Sequence, residues 1–547
     1  MNFVQLPDDP LSVRITGAVY TPPEVADALT GLVGRMVTLT GASILEPSVG
    51  DGAFLRSLAA AAPLGRFTAV DIDENVVGQL RERMADFAGD IEFHASDFIA
   101  FAKDEIEAGR RRFDVIIGNP PFIRKHNFTA EFKASIEAFA AATDYPLTQL
   151  KNSWVAFLIG AAEMVSAGGV VAFILPYEFF TVAYGNAALN YLLEKFDRID
   201  LFVSDKKAFP QIDQDAIILV AQSETTRISG IFIQRVADFS ELSAPTEHQL
   251  DIRTGGDLSL ELNAFLIGPG RMPLIRTLRA EAPKIGDFCT SSPGIVTAAN
   301  EFFILTADRA AELNVGRFTI PILKKGSFST RMPIFRGEDF EEISRREPCR
   351  LLRIPGEPEA LDEHIWAHIR NGEARDLHKR YKCRNRTPWY QVPIIERAPG
   401  FFFKRSHSYP RICVNEANVY LTDTAYGLRV KDGYTIRGIC FSFYNSITML
   451  FAEIDGRFYG GGVLELSPVE FRGLPLIYHE PTDKEFSEFL EAHEQANGKP
   501  QPILDFGDRW AAKKLRLAKR EMASIRTTWL ELRAHRLRHG SAGKEEL

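Results

Sequence analysis

Four consecutive residues, Asn119-Pro120-Pro121-Phe122, have types that could do chemistry as a group. They follow the apolar run 113–118, which is too short for a helix and predicts a buried strand. Because each proline fixes φ and lacks a backbone N–H, the loop is stiff and poor in donors. The side-chain oxygen of Asn119 and the carbonyl of Pro120 can therefore accept hydrogen bonds, with the ring of Phe122 beside them. This arrangement suits an exocyclic amino group on a flat ring, although an ordinary strand-to-loop turn would use the same residue types.

The segments around this loop predict an α/β fold. Apolar strands are predicted at residues 43–46, 67–71, 91–94, 113–118, 170–175 and 216–221, and helices at 24–37, 53–62, 74–87 and 153–166. Strands that alternate with helices indicate a parallel, doubly wound sheet. Ligands of such sheets bind at the carboxyl ends of the strands, which is where Asn119 is expected.

Polar or glycine residues follow three other predicted strands at the same edge. Glu46 ends the first strand, and the glycine turn 50–52 after it lets the backbone approach a ligand closely. Asp71 ends the second strand, where a carboxylate can accept hydrogen bonds from both hydroxyls of a ribose. Asp97 and Phe98 follow the third strand and could hold and cover an adenine ring. Asp71 and Asp97 could instead be N-caps, which is a common role of aspartate before a helix.

The order of these motifs resembles the gamma class of DNA amino-methyltransferases, the class that contains the TaqI enzyme. The resemblance covers residues 18–222 and is carried by segments 20–24, 45–52, 71–73, 96–98, 119–122, 152–157, 168–176 and 209–216. It implies a class I, S-adenosylmethionine (AdoMet)-dependent methyltransferase sheet, followed by a mixed α+β DNA-recognition domain. Two later segments, 293–303 and 458–468, resemble parts of recognition domains of large type II adenine methyltransferases.

The resemblance also implies a role for each matching residue. Thr21 and Glu46 would contact the methionine part of the cofactor, and Asp71 would bind its ribose. Asp97 and Phe98 would contact its adenine. Further cofactor-binding residues would be Gly50, Gly52 and Asn119. Asn119 and the carbonyl of Pro120 would hold the target amino group during catalysis. Phe122 and Phe209 would stack on the target base. A tyrosine is commoner in the class at the position of Phe122, and stacking survives the change to phenylalanine.

Charge divides the chain into two parts. Residues 1–242 carry 20 Lys+Arg and 32 Asp+Glu, whereas residues 243–547 carry 44 and 40. The net charge of −8 argues by itself against a nucleic-acid binder, but the second part has a balance typical of DNA-binding domains. We predict an AdoMet-binding catalytic domain over residues 1–242, and a DNA-recognition domain with a basic, helical C-terminal region over residues 243–547.

Two stretches of the second part are rich in Lys and Arg. Residues 375–411 contain ten basic residues against two acidic ones, with aromatic residues between them at 389–390 and 401–403. Basic side chains can neutralise phosphates and aromatic rings can stack on bases, although the same rings could pack in a core. The second stretch, 509–538, has a helical apolar stripe and could either clamp DNA or pack on the domain. The predicted DNA-binding residues are Lys379, Arg380, Lys382, Arg384, Arg386, Lys404 and Arg405.

Composition narrows the class of protein. An apolar fraction of 45% and a charged fraction of 25% are ordinary for a globular protein. The five cysteines are widely spaced and include no CxxC pair, so the sequence indicates no disulfide framework and no metal site. The first residues lack the pattern of a signal peptide, and the longest apolar stretch is too short to span a bilayer. We therefore expect a cytoplasmic protein without a membrane partner, for which a monomer suffices.

These features predict a site-specific DNA methyltransferase that moves a methyl group from AdoMet to the N6 amino group of a flipped-out adenine in duplex DNA, as in restriction-modification. A separately encoded restriction endonuclease would be its cellular counterpart. Methylation of cytosine N4 is an alternative, because the amino chemistry is similar. Modification of protein glutamine or of RNA is disfavoured by the basic second part and by the lack of a distinctive RNA-binding module.

Two alternatives belong to other classes of protein. A restriction enzyme that also cleaves DNA would need an Asp…(Asp/Glu)-x-Lys set on its own α/β unit, and the spacing match at 205–207 lies within the catalytic part. A non-catalytic specificity protein would not need Asn119 and the cofactor residues. The sequence does not predict which DNA site is recognised.

Overall fold

The computed structural model describes residues 19–110, 113–180, 182–206, 209, 215–242, 249–250, 260, 263, 267–268, 270–326, 332–459 and 462–537. These residues form two compact units. The first unit takes the described residues of Met1–Pro269, Arg457–Gly462 and His535–Leu547, and the second takes those of Gly270–Gly456 and Val463–Ala534. The division comes later in the chain than the predicted boundary at 242, because residues 249–250 still pair with the sheet of the first unit.

A sheet of nine strands, counted over the described residues, forms the centre of the first unit. Its strands are β1 (Ser43–Glu46), β2 (Arg66–Asp71), β3 (Asp90–Ala95), β4 (Phe113–Gly118), β5 (Val165–Pro176), β6 (Arg198–Ser204), β7 (Ala216–Gln222), β8 (Gly230–Val236) and β9 (Gln249–Leu250). Their spatial order is β3-β2-β1-β4-β5-β7-β6-β8-β9. β7 is antiparallel to β5 and β6, and β9 is antiparallel to β8, whereas the other neighbouring strands are parallel.

All six predicted strands are present, but the prediction of a parallel sheet is wrong for β7. The connection from β6 to β7 is too short for a crossover helix, and only an antiparallel return fits such a connection. β6 itself was not predicted, because the charges of Arg198 and Asp200 interrupt its apolar pattern. The structure buries both side chains as an ion pair, with 2.8 Å between Arg198 Nη2 and Asp200 Oδ1.

Seven helices of the described first unit connect these strands. They are α1 (Pro23–Gly34), α2 (Ala53–Ala61), α3 (Glu74–Arg83), α4 (Phe98–Glu107), α5 (Ala130–Thr143), α6 (Ser153–Met164) and α7 (Ala183–Lys195). Side chains of Asp73, Asp97 and Thr129 accept hydrogen bonds from the first turns of α3, α4 and α5. These caps satisfy N–H groups that have no partner within the helix, and they fix where each helix begins.

The core of the first unit lies on the two faces of the sheet. Val115, Ile116 and Ile117 of β4 are 0% exposed, and every residue of β6 and β7 is buried. Strands that are covered on both faces read as continuous apolar runs, as β4 does. Polar side chains are consequently concentrated at the strand ends, where a ligand can reach them.

The second unit is a mixed α+β domain, as predicted. Its strands are β10 (Cys289–Pro293), β11 (Ile304–Leu305), β12 (Thr319–Leu323), β13 (Ile334–Phe335), β14 (Arg350–Leu352), β15 (Gly400–Phe403), β16 (Arg405–Ser406), β17 (Ile412–Asn415), β18 (Tyr420–Leu421), β19 (Ala425–Val430) and β21 (Val463–Glu465). The intervening strand β20 (Arg457–Tyr459) belongs to the first unit. One sheet has the order β10-β19-β15-β17-β13 and another has the order β11-β14-β12-β18. β16 pairs with β21.

Helices surround these sheets. They are α8 (Met272–Glu281), α9 (Ile285–Phe288), α10 (Asn300–Phe303), α11 (Ala307–Glu312), α12 (Gly337–Ser344), α13 (Glu363–Ala374), α14 (Tyr381–Arg384), α15 (Ile436–Phe443), α16 (Ser446–Asp455), α17 (Pro468–Gly473), α18 (Asp483–Ala496), α19 (Pro500–Leu515) and α20 (Lys519–Leu537). The apolar stripe predicted in the second basic stretch is buried at Met522, Ile525, Trp529 and Leu532 of α20. That face of α20 therefore packs within the protein.

The structure describes the surroundings of all five cysteines. All five cysteines are buried and unpaired. None of the helices in the described ranges combines the length and apolarity that crossing a bilayer requires. The described residues also contain no group of three or more His, Cys, Asp or Glu side chains that could hold a metal ion.

Candidate active site

The side chain of Asn119 is held in one orientation by the segment before α1. Its Nδ2 donates to the carbonyl of Val19 at 3.0 Å and to Oγ1 of Thr21 at 3.3 Å. A carbonyl can only accept, so the amide nitrogen has to face Val19 and the amide oxygen faces the other way. Oδ1 of Asn119 accepts no hydrogen bond from a described residue. The structure thus joins Thr21 and Asn119, both of which the resemblance implies to be cofactor-binding residues.

Two serines fix the backbone of the loop that follows β4. Ser48 Oγ donates to the carbonyl of Asn119 at 3.1 Å. Ser153, the first residue of α6, donates to the carbonyl of Pro121 and accepts from the N–H of Ile123 at 2.8 Å. Carbonyls of the loop are therefore already bonded on both sides of Pro120. These bonds hold the loop rigid with respect to β1 and α6.

Pro120 and Phe122 offer groups that the protein does not itself use. The carbonyl of Pro120 accepts no hydrogen bond from the described residues, in contrast to those of Asn119 and Pro121. The side chain of Phe122 is partly exposed and has no aromatic neighbour in the described part of the chain. One carbonyl, one amide oxygen and one aromatic ring are thus available for a ligand.

Glu178 connects the segments behind this loop. Its Oε1 accepts hydrogen bonds from Nδ2 of Asn152 at 2.9 Å and from the hydroxyl of Tyr184 at 3.0 Å. Arg124, which follows the loop, lies 3.8 Å from Oε2. Glu178 lies just after β5 and is 14% exposed at the side chain. One carboxylate therefore ties the loop, the start of α6 and α7 together.

Glu46 is buried with an unsatisfied carboxylate oxygen. The residue is 3% exposed, accepts a hydrogen bond from the N–H of Leu55, and has no partner for Oε2. Burial, and then the nearby charges of Asp51 and Asp71, raise the pKa of Glu46 well above its ordinary value. A buried acceptor without a partner is unfavourable unless a ligand completes it. A cationic donor, such as the amino group of AdoMet, fits this position.

Asp71 is oriented by backbone N–H groups at the end of β2. Its Oδ2 accepts from Gly50 at 2.9 Å and its Oδ1 accepts from Asp73 at 3.0 Å. Burial raises the pKa of Asp71. The N-cap of α3 is Asp73 and not Asp71, so the capping interpretation of Asp71 is wrong. The carboxylate keeps further lone pairs for the hydroxyls of a ribose.

The glycines of the turn after β1 have backbone conformations that other residues avoid. Gly50 has a φ of +50° and Gly52 a φ of +79°. A Cβ on Gly52 would lie 2.7 Å from Cδ2 of Leu80, so a larger residue would clash as well as strain the backbone. The turn therefore passes close to α3.

Asp97 and Phe98 are used by the fold itself. Oδ1 of Asp97 caps α4 through the N–H of Ile99 at 3.0 Å, so the capping interpretation holds for one of its two oxygens. Phe98 is 2% exposed and stacks on Phe157 with 4.6 Å between ring centroids. The structure gives Phe98 a packing role, and its contact with the cofactor adenine stays a prediction.

Phe209 lies in the hydrophobic core. It is 1% exposed and belongs to the cluster that includes Val236 and Phe239. No face of its ring is accessible to a base in this structure, so we leave it out of the base pocket. Residues 210–214 of the predicted motif 209–216 lie outside the described residues.

The predicted DNA-binding residues of the second unit separate into two groups. Several are engaged within the protein: Lys379 with Asp376, Arg380 with the carbonyl of Ala298, Arg386 with the carbonyls of Val296 and Thr297, and both Lys404 and Arg405 with Glu465. Lys382 and Arg384 are exposed and form no ion pair with a described residue. The arrangement leaves Lys382 and Arg384 the most available of the set for a phosphate.

The aromatic residues of the first basic stretch are largely core residues. Tyr390 is 5% exposed, and Phe401 and Phe402 of β15 are 0% exposed. Trp389 packs against a buried cluster that includes Phe302 and Phe303. These rings therefore pack in the core, which is the alternative that the sequence left open, because β15 is buried along its whole length and Trp389 packs on the cluster that includes residues of α13. Tyr381, which is 69% exposed, is the aromatic residue of this stretch that faces solvent.

Sequence reasoning did not assign roles to Ser48, Ser153 or Glu178. Ser153 stands at the start of a predicted helix, where serine is common, and this signal does not identify its contact with a loop 30 residues away. Glu178 follows β5 without any local pattern that distinguishes it. Both contacts are long-range, and only the folded chain reveals them.

Two family models and several curated proteins are similar to this chain. Residues 67–209 match the model of the Eco57I restriction-modification methylase, and residues 261–509 match that of the C-terminal domain of the type II methyltransferase M.Eco57I. The type II methyltransferase M.AccI of Acinetobacter calcoaceticus is 23% identical over 472 residues, which cover 82% of this chain and 83% of that protein. M.XamI of Xanthomonas campestris pv. amaranthicola is 24% identical over 490 residues, covering 85% and 86%.

Among solved structures, the cryo-electron microscopy structure of a DrdV–DNA complex covers 89% of this chain and 58% of that chain. The TM-score is 0.49 and the sequence identity is 14%.

Proposed function

We propose, on the premise that this chain is a type II DNA methyltransferase with AdoMet as its methyl donor, that it methylates the N6 amino group of adenine at a specific site in duplex DNA. The proposal includes membership of the gamma class, whose motif order the first unit follows. The cofactor residues of the proposal are Thr21, Glu46, Gly50, Gly52, Asp71 and Asp97. The catalytic residues are Asn119, Pro120 and Phe122.

The orientation of the Asn119 amide carries the proposal. Its nitrogen donates to Val19 and Thr21, which leaves Oδ1 as an acceptor, and the carbonyl of the next residue, Pro120, accepts no hydrogen bond from the described residues. An exocyclic amino group has two hydrogens, and two acceptors on a rigid loop can bind both. The same acceptors would not suit a hydroxyl or a carbonyl substrate equally well.

The two acceptors supply positioning and electrostatic stabilisation. An exocyclic nitrogen is a weak nucleophile because its lone pair is delocalised into the ring. Oδ1 of Asn119 and the Pro120 carbonyl favour a pyramidal nitrogen and stabilise the positive charge that develops on it. Glu46 and Asp71 would hold AdoMet, which would supply an activated methyl group on its sulfonium. No strong base is required, since a proton leaves the nitrogen for solvent water only after methyl transfer has made that nitrogen cationic.

A base within a duplex cannot reach this loop, so the proposal requires base flipping. Extruding a base costs a few kcal/mol of lost stacking and pairing. Stacking of the flipped base on Phe122 offsets part of this free-energy cost, since a base–aromatic stack contributes about 1–3 kcal/mol. The partial exposure of Phe122 supports this role. A monomer suffices, and a separately encoded restriction endonuclease is the proposed cellular counterpart.

The test of the reaction is nucleoside mass spectrometry. Purified protein is incubated with AdoMet and mixed-sequence duplex DNA, and the DNA is then digested to nucleosides. We expect N6-methyladenine in the digest and none when AdoMet is left out. N4-methylcytosine would retain the catalytic role of Asn119 and overturn the choice of base. No methylated nucleoside, with AdoMet binding measured in parallel, would contradict the proposed function.

Phe122 provides a second prediction, on the flipped base. Phe122→Ala should lower kcat/KM on duplex DNA by about 5- to 100-fold, because one stacking contact is lost. Phe122→Tyr keeps the ring and should stay within a few-fold of the wild type. The measurement is steady-state methylation of one duplex by the three proteins. Equal rates for the alanine and tyrosine variants would remove Phe122 from the base pocket.

A further inference from the structure

A cavity of about 630 Å³ lies within the second unit, between residues 296–302 and 375–382. Its volume falls in the range of about 300–1,000 Å³ that is usual for ligand pockets. Asp423 also lines it. We call this cavity the recognition pocket. It lies within the region that matches the M.Eco57I C-terminal domain, and it brings together two segments far apart in sequence.

One wall of the recognition pocket is held rigid by two arginines. Arg386 donates to the carbonyls of Val296 at 2.7 Å and Thr297 at 2.9 Å, and Arg380 donates to the carbonyl of Ala298 at 3.1 Å. Ala298 has a φ of +69°, a conformation that non-glycine residues rarely adopt. Such strain persists only where surrounding contacts enforce it, and it is concentrated at functional sites.

The same wall orients a hydrogen-bond donor. Oγ1 of Thr297 donates to Oδ1 of Asn300 and accepts from the N–H of Ala299 at 3.2 Å. With its oxygen bonded to Thr297, Asn300 keeps both hydrogens of Nδ2 for a ligand in the pocket that it lines. Asparagine in a fixed orientation is a common reader of base edges.

The opposite wall carries charge and an exposed ring. Arg375 and Lys382 line the pocket and are exposed, and neither forms an ion pair with a described residue. Tyr381 is 69% exposed, and the guanidinium carbon of Arg384 lies 5.2 Å from the centroid of its ring. Glu301 and Asp423 add two exposed carboxylates. Donors, acceptors and cations are therefore mixed, whereas a site for a free anion would be mainly cationic.

We propose that the recognition pocket binds duplex DNA and reads part of the methylation site, an inference that rests on the proposed function. Arg375 and Lys382 hold backbone phosphates, Tyr381 packs on a sugar or base, and Nδ2 of Asn300 bonds a base edge. Arg380 and Arg386 do not touch DNA; they are positioning residues that fix the wall. This assignment divides the predicted basic patch into residues that bind DNA and residues that shape the site.

The first test measures binding to mixed-sequence duplex DNA by fluorescence anisotropy at several salt concentrations. Lys382→Ala and Tyr381→Ala in the full-length protein should each weaken binding about 3- to 10-fold, and Lys382→Ala should reduce the salt slope by about one. Lys484→Ala is the matched control, since Lys484 is 87% exposed on α18, away from the pocket. Binding by both pocket variants equal to that of this control would overturn the proposal.

The second test separates the sequence specificity of the recognition pocket from its affinity for DNA. Asn300→Asp keeps an oxygen for Thr297, replaces the pocket-facing amino group with an acceptor oxygen and adds one negative charge. We expect AdoMet binding and thermal stability to stay unchanged, while the preference for one base pair of the mapped methylation site falls by about tenfold. An unchanged site preference would overturn the role of Asn300. If the wild type methylates no DNA, the proposed function fails, whereas the anisotropy measurement still decides whether the pocket binds DNA.

Discussion

Asn119→Ala is expected to lower turnover by about 10²- to 10³-fold, the loss that follows removal of one preorganised hydrogen-bonding group at a reacting centre. The variant loses the Oδ1 acceptor for the target amino group. It also releases the carbonyl of Val19 and the hydroxyl of Thr21, each of which loses a hydrogen bond worth about 0.5–1.5 kcal/mol. Binding of duplex DNA should change little. The measurements are single-turnover methylation and DNA binding by anisotropy.

Two companion variants make this result specific. Asn119→Asp keeps an acceptor oxygen but sets a second one against the Val19 carbonyl, so it should also be strongly impaired, with a raised KM for AdoMet. Asn190→Ala changes an exposed asparagine on α7 and should behave as the wild type. Single-turnover rates of Asn119→Ala within tenfold of the wild type would contradict the catalytic role of Asn119.

Glu46→Gln is expected to weaken AdoMet binding by about 10- to 100-fold without lowering the stability of the cofactor-free protein. The lost interaction is a hydrogen bond to a charged group, worth about 1.5–3 kcal/mol. In the cofactor-free protein the Glu46 carboxylate is buried and one of its oxygens has no partner, so removing its charge relieves an unfavourable burial. Isothermal titration of AdoMet and thermal unfolding measure the two effects.

The pH dependence of stability supplies an independent check on Glu46. Burial raises the pKa of Glu46 in the folded protein, so the folded state holds this proton more tightly than the unfolded state does. The stabilising contribution is complete below the ordinary pKa of about 4.3 and is lost as pH rises towards the raised pKa. The wild type should therefore lose stability relative to Glu46→Gln from about pH 5 upwards.

The exposed Glu82 on α3 gives the matched control for this comparison. Glu82→Gln should alter neither AdoMet affinity nor the pH dependence of unfolding. If Glu46→Gln bound AdoMet as the wild type does, Glu46 would be a buried structural carboxylate and would leave the cofactor site.

The sequence by itself determined the α/β fold of the first unit and the loop that carries the chemistry. Strands β1, β2, β4 and β5 are largely buried and apolar, so their period and length predict them locally, and the residues at their carboxyl ends share one edge by topology alone. Asn119, Glu46 and Asp71 were predicted on this basis. Local sequence patterns are sufficient to predict the placement of these three residues, because the carboxyl ends of parallel strands all lie at the same edge of the sheet.

The sequence did not determine which polar groups are already occupied. Whether Asp97 caps a helix, whether Phe98 and Phe209 are buried, and whether Arg386 binds DNA or the carbonyls of Val296 and Thr297 all depend on long-range contacts. The sequence also does not predict β6, because Arg198 and Asp200 can be buried only when they form an ion pair with each other, and this pairing is seen only in the folded structure. Side chains of the same type have opposite roles according to their partners, and only the tertiary structure decides which partners are within reach.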